Sequence, residues 1–281
     1  MFEYEKINRR SFLAAAGLTA AALALTACGG SASSTASSTA SSAASSEAAS
    51  TSAAAELTTV EAGKLTMATN AAFPPYEMTT DAGEFEGIDI DTAKAIAEKL
   101  GLELQIDDMD FDAALLSVQQ GKADIVMAGV TVTDERKAVM DFSDSYATGI
   151  QSIIVPEGSD ITSPDDLAGK KIGTQRGTTG YIYCSDDFGD DAVVAYDDGL
   201  TAVQALNNGQ VDAVVIDNAP AKEFVAANPG LVILDTSYAE EDYAIGLAKG
   251  SALEDAVNAA LEELKADGTL QSIVDKYITA E

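Results

Sequence analysis

The chain of 281 residues contains no histidine and no tryptophan, and it has only two cysteines, Cys28 and Cys184. Without histidine, general-base chemistry that relies on an imidazole is excluded, and so are metal sites built on histidine. Cys28 falls at a predicted processing site, so Cys184 has no partner and no disulfide is expected within the mature chain. We expect neither a cofactor nor a metal ion.

Basic residues are also scarce: 16 of them stand against 46 acidic residues, which gives a formal net charge of −30. A surface with this excess of acid cannot release counterions from phosphates, so the composition argues against a nucleic-acid partner. It also argues against docking on anionic lipid by charge. Solubility is the simplest explanation of the charge, and a weak attraction of cationic ligands is an alternative.

Residues 1–28 have the pattern of an export signal, with a basic start that includes Arg9 and Arg10. The apolar run Phe12–Ala27 is too short and too weakly apolar to span a membrane. The segment Leu25–Cys28 resembles a lipoprotein signal, in which the cysteine receives a lipid such as palmitate and becomes the N-terminus. The paired arginines also resemble the twin-arginine motif, so the export route stays open.

Residues 29–55 consist almost entirely of serine, alanine, threonine and glycine. Such a stretch cannot bury enough apolar surface to order itself, and we interpret it as a tether with a reach of roughly 30 Å. From about Leu57 the chain alternates predicted strands and helices, a pattern typical of α/β sheets covered by helices on both faces. Strands are predicted at Leu65–Thr69, Leu102–Ile106, Asp124–Met127, Ile150–Val155, Lys171–Thr174, Val193–Tyr196, Asp212–Ile216 and Tyr243–Ala248. Helices are predicted at Asp91–Leu100, Phe111–Gln120, Thr179–Ser185, Leu200–Asn208, Ala219–Ala227, Ala252–Lys265 and Leu270–Ile278.

Two stretches, Leu115–Gly129 and Val203–Asp217, repeat one pattern. Each has an apolar helical segment, a glycine that ends it, an aspartate three residues later and a short β-branched run. Gly129 stands five residues after the aspartate in the first copy, and Asp217 stands there in the second. Ligands of open α/β sheets bind outside the carboxyl ends of strands, so both copies direct these residues at a binding crevice.

The first copy continues to Arg136, whose guanidinium, together with the Asp217 carboxylate, would suit a zwitterion. Alternatively, Thr133–Glu135 caps a helix and leaves Arg136 in solvent, and Asp217 caps the helix that follows it. A second, shorter repeat consists of a Gly-Lys pair before a strand, at Gly63-Lys64 and at Gly169-Lys170. It predicts that Asn70 and Gln175 lie at the ends of matching strands and face each other.

Two other features have two interpretations each. Phe73 and Phe111 follow predicted strands, which favours the cleft over the core. The run Gly177-Thr178-Thr179-Gly180 opens a helix and would bind an anion there; it lacks the lysine and the spacing of a phosphate loop, so a carboxylate fits better.

The sequence resembles the extracellular solute-binding proteins of amino-acid ABC importers, family 3, over about residues 57–280. The motifs that carry the resemblance are Ala68–Glu77, Gly87–Asp91, Met109–Phe111, Ala128–Arg136 followed by Asp141–Ser143, Gly177–Thr179 and Asp212–Asp217. The resemblance implies a type II periplasmic-binding-protein-like fold, with two lobes joined by a two-strand hinge. We expect lobe one to comprise residues 57–146 and 244–281, and lobe two to comprise residues 151–240.

The same resemblance implies how the backbone groups of an amino acid are bound. Arg136 would take the ligand carboxylate, helped by the backbone at Thr131 and Thr179. Asp217 would take the ammonium group, helped by the Gly129 carbonyl and the Thr131 hydroxyl.

It also implies that Phe73 and Phe111 enclose the ligand side chain, while Asn70 and Gln175 read its tip. Ala128 and Thr178 complete the expected set. Two amides suit a glutamine-like side chain, whereas Glu77 and Asp89 keep basic amino acids open.

The expected protein is therefore a monomeric receptor that binds a free amino acid and serves an ABC permease, anchored by lipid to the extracytoplasmic face of the cell membrane. It is not expected to be an enzyme. One alternative is an enzyme on the same scaffold, such as a dehydratase of an amino-acid-like substrate, which would need a poised proton donor. Another is a ligand-sensing module for a signalling partner.

Overall fold

A computed structural model describes residues 57–278 of the chain, and all structural statements below refer to that part. The predicted export signal, Cys28 and the predicted tether lie outside the described residues. Within residues 57–278, no helix is both long and apolar enough to cross a membrane.

The strands, in chain order, are β1 (Lys64–Thr69), β2 (Ala72–Phe73), β3 (Glu77–Thr79), β4 (Phe85–Glu86), β5 (Glu103–Asp108), β6 (Ile125–Val126), β7 (Met140–Phe142), β8 (Ala147–Pro156), β9 (Ile172–Gln175), β10 (Val193–Tyr196), β11 (Ala213–Asp217), β12 (Leu231–Ile233), β13 (Ala239–Tyr243) and β14 (Gly246–Ala248). The helices are α1 (Ile88–Leu100), α2 (Phe111–Gln119), α3 (Asp134–Val139), α4 (Thr179–Phe188), α5 (Gly199–Asn207), α6 (Asn218–Ala227), α7 (Glu254–Ala266) and α8 (Thr269–Tyr277). Short 3₁₀ helices cover Pro164–Leu167 and Asp190–Ala192.

The first sheet has the strand order β5-β1-β6-β14-β7, and we call it, with its helices, the first lobe. β1 is parallel to β5 and β6, and five of its six residues are buried, as expected for a central strand covered on both faces. Helices α1, α7 and α8 pack against this sheet through an apolar core that includes Leu65, Ile96 and Leu261.

The second sheet has the order β10-β9-β11-β8-β12, with β13 also paired to β8, and we call it the second lobe. All five residues of β11 are buried, in agreement with its run of β-branched side chains. Helices α4, α5 and α6 cover this sheet. The predicted α/β architecture of two helix-covered sheets is confirmed, with antiparallel strands β7, β8 and β14 added to the parallel ones.

The chain leaves the first sheet along β8 and returns to it along β13. These two strands pair antiparallel from Gln151 opposite Ala239 to Ala147 opposite Tyr243. We call this strand pair the hinge. Side chains alternate along β13: Glu241 and Tyr243 are buried, whereas their neighbours on the strand face outward.

Several element predictions need correction. The predicted strand Tyr243–Ala248 is two strands, because β13 belongs to the hinge and β14 to the first sheet. The three-stranded sheet β2-β3-β4 was not predicted, since strands of two or three residues show no readable alternation. Helix α3 is not among the predicted helices, because its six residues are too few to show the apolar periodicity of a helix.

Candidate ligand-binding site

A cavity lies between the two lobes and is lined by residues of both, the kind of place where small-ligand sites occur. All eleven residues predicted for the site line it: Asn70, Phe73, Phe111, Ala128, Gly129, Thr131, Arg136, Gln175, Thr178, Thr179 and Asp217. Glu77, which the sequence left open, also lines it, as do Gln151, Val215, Ile216 and Tyr243. The structure thus brings the predicted residues together, and their role in binding stays a prediction.

Arg136 is buried, with 8% of its surface exposed, so the alternative of a solvated arginine is wrong. Thr133 does cap helix α3, because its hydroxyl accepts the backbone N–H of Arg136 at 3.1 Å. The guanidinium donates from Nη1 to the Thr131 carbonyl at 2.8 Å and from Nη2 to the Gly177 carbonyl at 3.2 Å. It also lies 5.3 Å from the ring centre of Phe111. Helix capping and burial of the charge therefore occur together.

The guanidinium of Arg136 is buried away from water, and this burial lowers its pKa. The nearby carboxylate of Glu241 acts in the opposite direction and favours the charged form. Arginine stays protonated in proteins at neutral pH. A ligand carboxylate that enters the cavity would thus meet a fixed, poorly hydrated cation.

The N-terminus of helix α4 faces the same cavity. Thr178 caps the helix, and Thr179, its first residue, is buried and lines the cavity. The first backbone N–H groups of a helix have no partner within the helix, and the helix dipole adds partial positive charge there. This end of α4 therefore offers a second anchor for an anion.

Asp217 combines the two roles that the sequence left open. Its Oδ1 accepts the backbone N–H of Ala219 at 3.3 Å, which caps helix α6. Its Oδ2 accepts the hydroxyl of Tyr243 at 2.6 Å and lies at the end of β11, beside the cavity. Burial raises the pKa of Asp217 to about 6, although the Tyr243 hydrogen bond opposes this shift. The carboxylate is therefore ionised at neutral pH but close to titration.

Asn70 and Gln175 both line the cavity and face each other, as the second, shorter repeat predicts. Gln175 Nε2 donates to Asn70 Oδ1 at 2.9 Å, and Asn70 Nδ2 donates to the Met109 carbonyl at 3.0 Å. Gln175 Nε2 also contacts the Asp197 carbonyl at 3.3 Å. Because the two amides bind each other and the backbone, fewer of their groups are free to read a ligand amide than the sequence suggested.

Glu77 is fully buried on β3, directly opposite Phe73 on β2. Neither of its oxygens accepts a hydrogen bond from a described donor. Behind it, Asp89 accepts the Gly129 N–H at 3.0 Å and the Tyr146 hydroxyl at 2.7 Å. Burial raises the pKa of Glu77 well above its usual range, and the charge of Asp89 adds to this; burial also raises the pKa of Asp89 to about 6.

Aromatic rings form one wall of the cavity. Phe73 stacks on Tyr76 with ring centres 5.9 Å apart, and Tyr76 meets Tyr243 edge-on at 5.3 Å. Gly129 packs against this wall with a φ of 56°, and a Cβ there would lie 2.9 Å from the Phe73 ring. Only glycine fits this position without displacing the ring.

Gln151 and Tyr243 were missed by the sequence reasoning. Both lie on the hinge strands, and Gln151 pairs in register with Ala239, 88 positions further along the chain. The segment around Tyr243 carries no apolar alternation that marks one face as inward. Their place in the site depends on strand pairing that no local signal indicates.

Two helix-covered sheets joined by a paired-strand hinge, with a cavity between them, define a two-lobe ligand-binding fold. The chain belongs to the bacterial extracellular solute-binding proteins, family 3, which it matches over residues 65–280.

It is 32% identical to a probable histidine-binding protein of Neisseria gonorrhoeae, with 98% of each chain covered. It is 35% identical to an ABC transporter glutamine-binding protein of Bacillus subtilis over 70% of this chain and 74% of that protein. Among solved structures, an ancestral arginine-binding protein bound to glutamine superposes with a TM-score of 0.74 at 43% identity, covering 78% of this chain and 99% of that one.

These relatives confirm the predicted class, an extracytoplasmic amino-acid receptor of an ABC importer, and the predicted two-lobe fold. They are described as binding proteins rather than as enzymes, so the alternative of a dehydratase on this scaffold finds no support among them.

Proposed function

We propose that this protein binds one free amino acid with a cationic, arginine-like side chain and delivers it to an ABC permease without chemical change. The observation that carries the proposal is Glu77, a fully buried carboxyl group that lines the cavity and accepts no hydrogen bond from a described donor. Its ionised form is costly in this place unless a cation partners it, whereas the protonated form can share its proton with Asp89.

The main-chain groups of the ligand find opposite charges on the two lobes. Arg136 and the N-terminus of α4 suit the carboxylate, because a guanidinium and a helix end both favour anions. Asp217 suits the ammonium group. With these two charges engaged, Glu77 is left for the side chain.

A guanidinium or ammonium tip would neutralise Glu77 and would lie near the aromatic ring of Phe73, which also attracts cations. The amides of Asn70 and Gln175 are bound to each other, which weakens the earlier preference for glutamine. The ancestral relative described as an arginine-binding protein supports an arginine-like ligand.

Glutamine is the second candidate. The same ancestral protein is bound to glutamine, and a protonated Glu77 could donate a hydrogen bond to an amide oxygen. The two ligands differ in charge, so one experiment separates them.

The test is calorimetric titration with L-arginine, L-lysine, L-histidine and L-glutamine, and with agmatine, which is arginine without its carboxylate. We expect L-arginine to bind most tightly and agmatine to bind at least 100-fold more weakly, since two or more charge-assisted hydrogen bonds of ~1.5–3 kcal/mol each are lost. Tight binding of glutamine without binding of arginine would overturn the preference for a cation. Binding of no amino acid at all would overturn the whole proposal.

Variants of two glutamates sharpen the result. Glu77→Gln should weaken L-arginine about tenfold or more and affect glutamine less, because only the cation loses its counter-charge. Glu84→Gln is the matched control, since Glu84 is exposed in the turn after β3. Recovery of unchanged L-arginine after prolonged incubation, measured by NMR, checks that the protein acts as a binder and not as an enzyme.

We also propose that a lipid on Cys28 anchors the protein as a monomer at the extracytoplasmic face of the membrane. The support is the segment Leu25–Cys28 and the low-complexity tether that follows it. A flexible tether of this length would let the binding lobes reach a permease in the same membrane.

A further inference from the structure

Glu241 is a buried carboxylate of the hinge that the proposed binding scheme does not use. It has 7% of its surface exposed, while Glu240 and Asp242 on the same strand face solvent. Its Oε2 lies 3.1 Å from the Thr131 Oγ1 and 2.9 Å from the Thr179 Oγ1. Thr131 belongs to the first lobe and Thr179 to the second, so one oxygen atom of the hinge contacts both lobes.

The hydrogen bonds have a fixed direction. A carboxylate accepts hydrogen bonds and has none to donate, and each threonine hydroxyl owns a single proton. Both hydroxyl protons therefore point at Glu241. The two hydroxyl oxygens lie 3.4 Å apart, farther than either lies from Glu241. The two hydroxyl groups therefore need not hydrogen-bond to each other. Gln151 Nε2 supplies a third donor to the same oxygen at 3.0 Å.

A hydroxyl whose proton is already used offers only lone pairs to other partners. Thr131 and Thr179 both line the cavity, so they face the ligand as acceptors. Two acceptors suit an ammonium group, which has three donors, and they disfavour a second carboxylate oxygen. Without Glu241, the same hydroxyls would be free to donate to the ligand carboxylate.

We infer that Glu241 is a positioning residue that turns Thr131 and Thr179 into acceptors and thereby makes the site select ligands with an α-ammonium group. The inference rests on the proposed amino-acid function and names a determinant of its selectivity. The other oxygen of Glu241, Oε1, is buried and has no hydrogen-bond partner among the described residues. Because a buried oxygen without a partner lowers stability, stability alone does not explain a carboxylate at this position.

The experiment compares L-arginine with 5-guanidinopentanoate, the same molecule without its ammonium group, by competition calorimetry on the full chain. The measured quantity is the ratio of their dissociation constants. Glu241→Leu removes the acceptor and should lower the preference for L-arginine about tenfold or more, while 5-guanidinopentanoate binds as well as before or better. Glu241→Gln keeps an acceptor oxygen without the charge, so its ratio should stay within about threefold of wild type.

Glu240→Leu and Glu240→Gln are the matched controls, because they make the same changes on the exposed side of the same strand, and their ratios should not move. Equal weakening of both ligands in Glu241→Leu would overturn the inference and leave Glu241 a purely structural residue.

If Glu241→Leu does not fold, Thr131→Val and Thr131→Ser decide. The valine variant must lower the ratio and the serine variant must keep it; an unchanged ratio in the valine variant also overturns the inference. Absence of amino-acid binding by the wild-type protein refutes the proposed function, whereas binding with unmoved ratios refutes only the role of Glu241.

Discussion

The affinity of the protein for an amino acid should fall in acid, with a midpoint set by Asp217. Burial raises the pKa of this carboxyl group from 3.8 to about 6 in the empty site. A ligand ammonium group binds the ionised form, so protonation of Asp217 competes with binding. Through Asp217 alone, the apparent dissociation constant should rise only slightly between pH 8 and pH 7, about twofold at pH 6 and about tenfold at pH 5.

The raised pKa of Asp217 also makes the stability of the empty protein depend on pH. The folded, empty protein holds this proton more tightly than the unfolded chain, so its stability decreases as the pH rises from about 4 to about 6. Ionised Asp217 costs the empty protein about 3 kcal/mol above that range. The ligand ammonium compensates this cost, so ligand-induced stabilisation should be largest above pH 6.

Calorimetry in buffers of different ionisation enthalpy measures the protons directly. Through Asp217 alone, binding of an amino acid should release about 0.1 proton at pH 7 and about 0.5 at pH 6. Glu77 adds further release with L-arginine but not with glutamine, because only a cation requires its ionised form. Tyr243→Phe removes the hydrogen bond that opposes the shift and should move the midpoint to higher pH.

The controls use the ligand as well as the protein. 5-Guanidinopentanoate has no ammonium group, so its binding should lack the Asp217 contribution. A dissociation constant for L-arginine that stays constant within twofold from pH 8 to pH 5, at fixed ionic strength, would show that Asp217 does not bind the ammonium. Glu77 cannot mask the effect, since its titration acts in the same direction.

Four further predictions concern anchoring, closure and selectivity. Cys28→Ser should move the protein from the membrane fraction to the soluble extracytoplasmic fraction, and unchanged partitioning would contradict lipid anchoring. The radius of gyration from solution scattering should decrease on addition of saturating L-arginine, as expected for lobes that close about a hinge; an unchanged radius argues against closure. Gly177 has a φ of 73°, which favours glycine, and a Cβ there would overlap the Asp112 carboxylate of the other lobe; Gly177→Ala should therefore weaken binding about two- to tenfold, and Asp112→Ala should restore the part of this loss that comes from obstructed closure. Asn70→Asp should shift the ratio of arginine to glutamine affinity toward arginine by about tenfold, because it adds a second carboxylate; a constant ratio would exclude Asn70 from reading the side chain.

The sequence predicted those parts of the site that regular α/β geometry brings together. Asp217 ends one copy of a repeated helix–strand pattern and Arg136 follows the other copy, and the carboxyl ends of parallel strands meet at one edge of a sheet. Asn70 directly follows β1 and Gln175 ends β9, so the same argument applies to both. Local patterns were enough for Asn70, Gln175 and Asp217 because each lies at the end of its own strand, whereas Arg136 lies on the short helix α3.

The residues that escaped prediction depend on contacts between distant segments. Tyr243 reaches Asp217 through the hinge, and Gln151 enters the cavity from the other hinge strand. Glu77 was named only as an open candidate beside Asp89, because it lies on a strand of three residues, too short to show which face is buried. Neither composition nor spacing marks these positions as inward.

The direction of hydrogen bonds was the least predictable property of the site. The resemblance assigned Thr131 and Thr179 to ligand binding, but a hydroxyl donates or accepts according to what lies behind it. Here Glu241 lies behind both, on a strand in which acidic residues alternate between the inner and the outer face. The run Glu240-Glu241-Asp242 reads as uniformly polar surface, and only the pairing of β13 with β8 turns its middle carboxylate inward. The ligand preference of such a site therefore depends on a residue that need not touch the ligand.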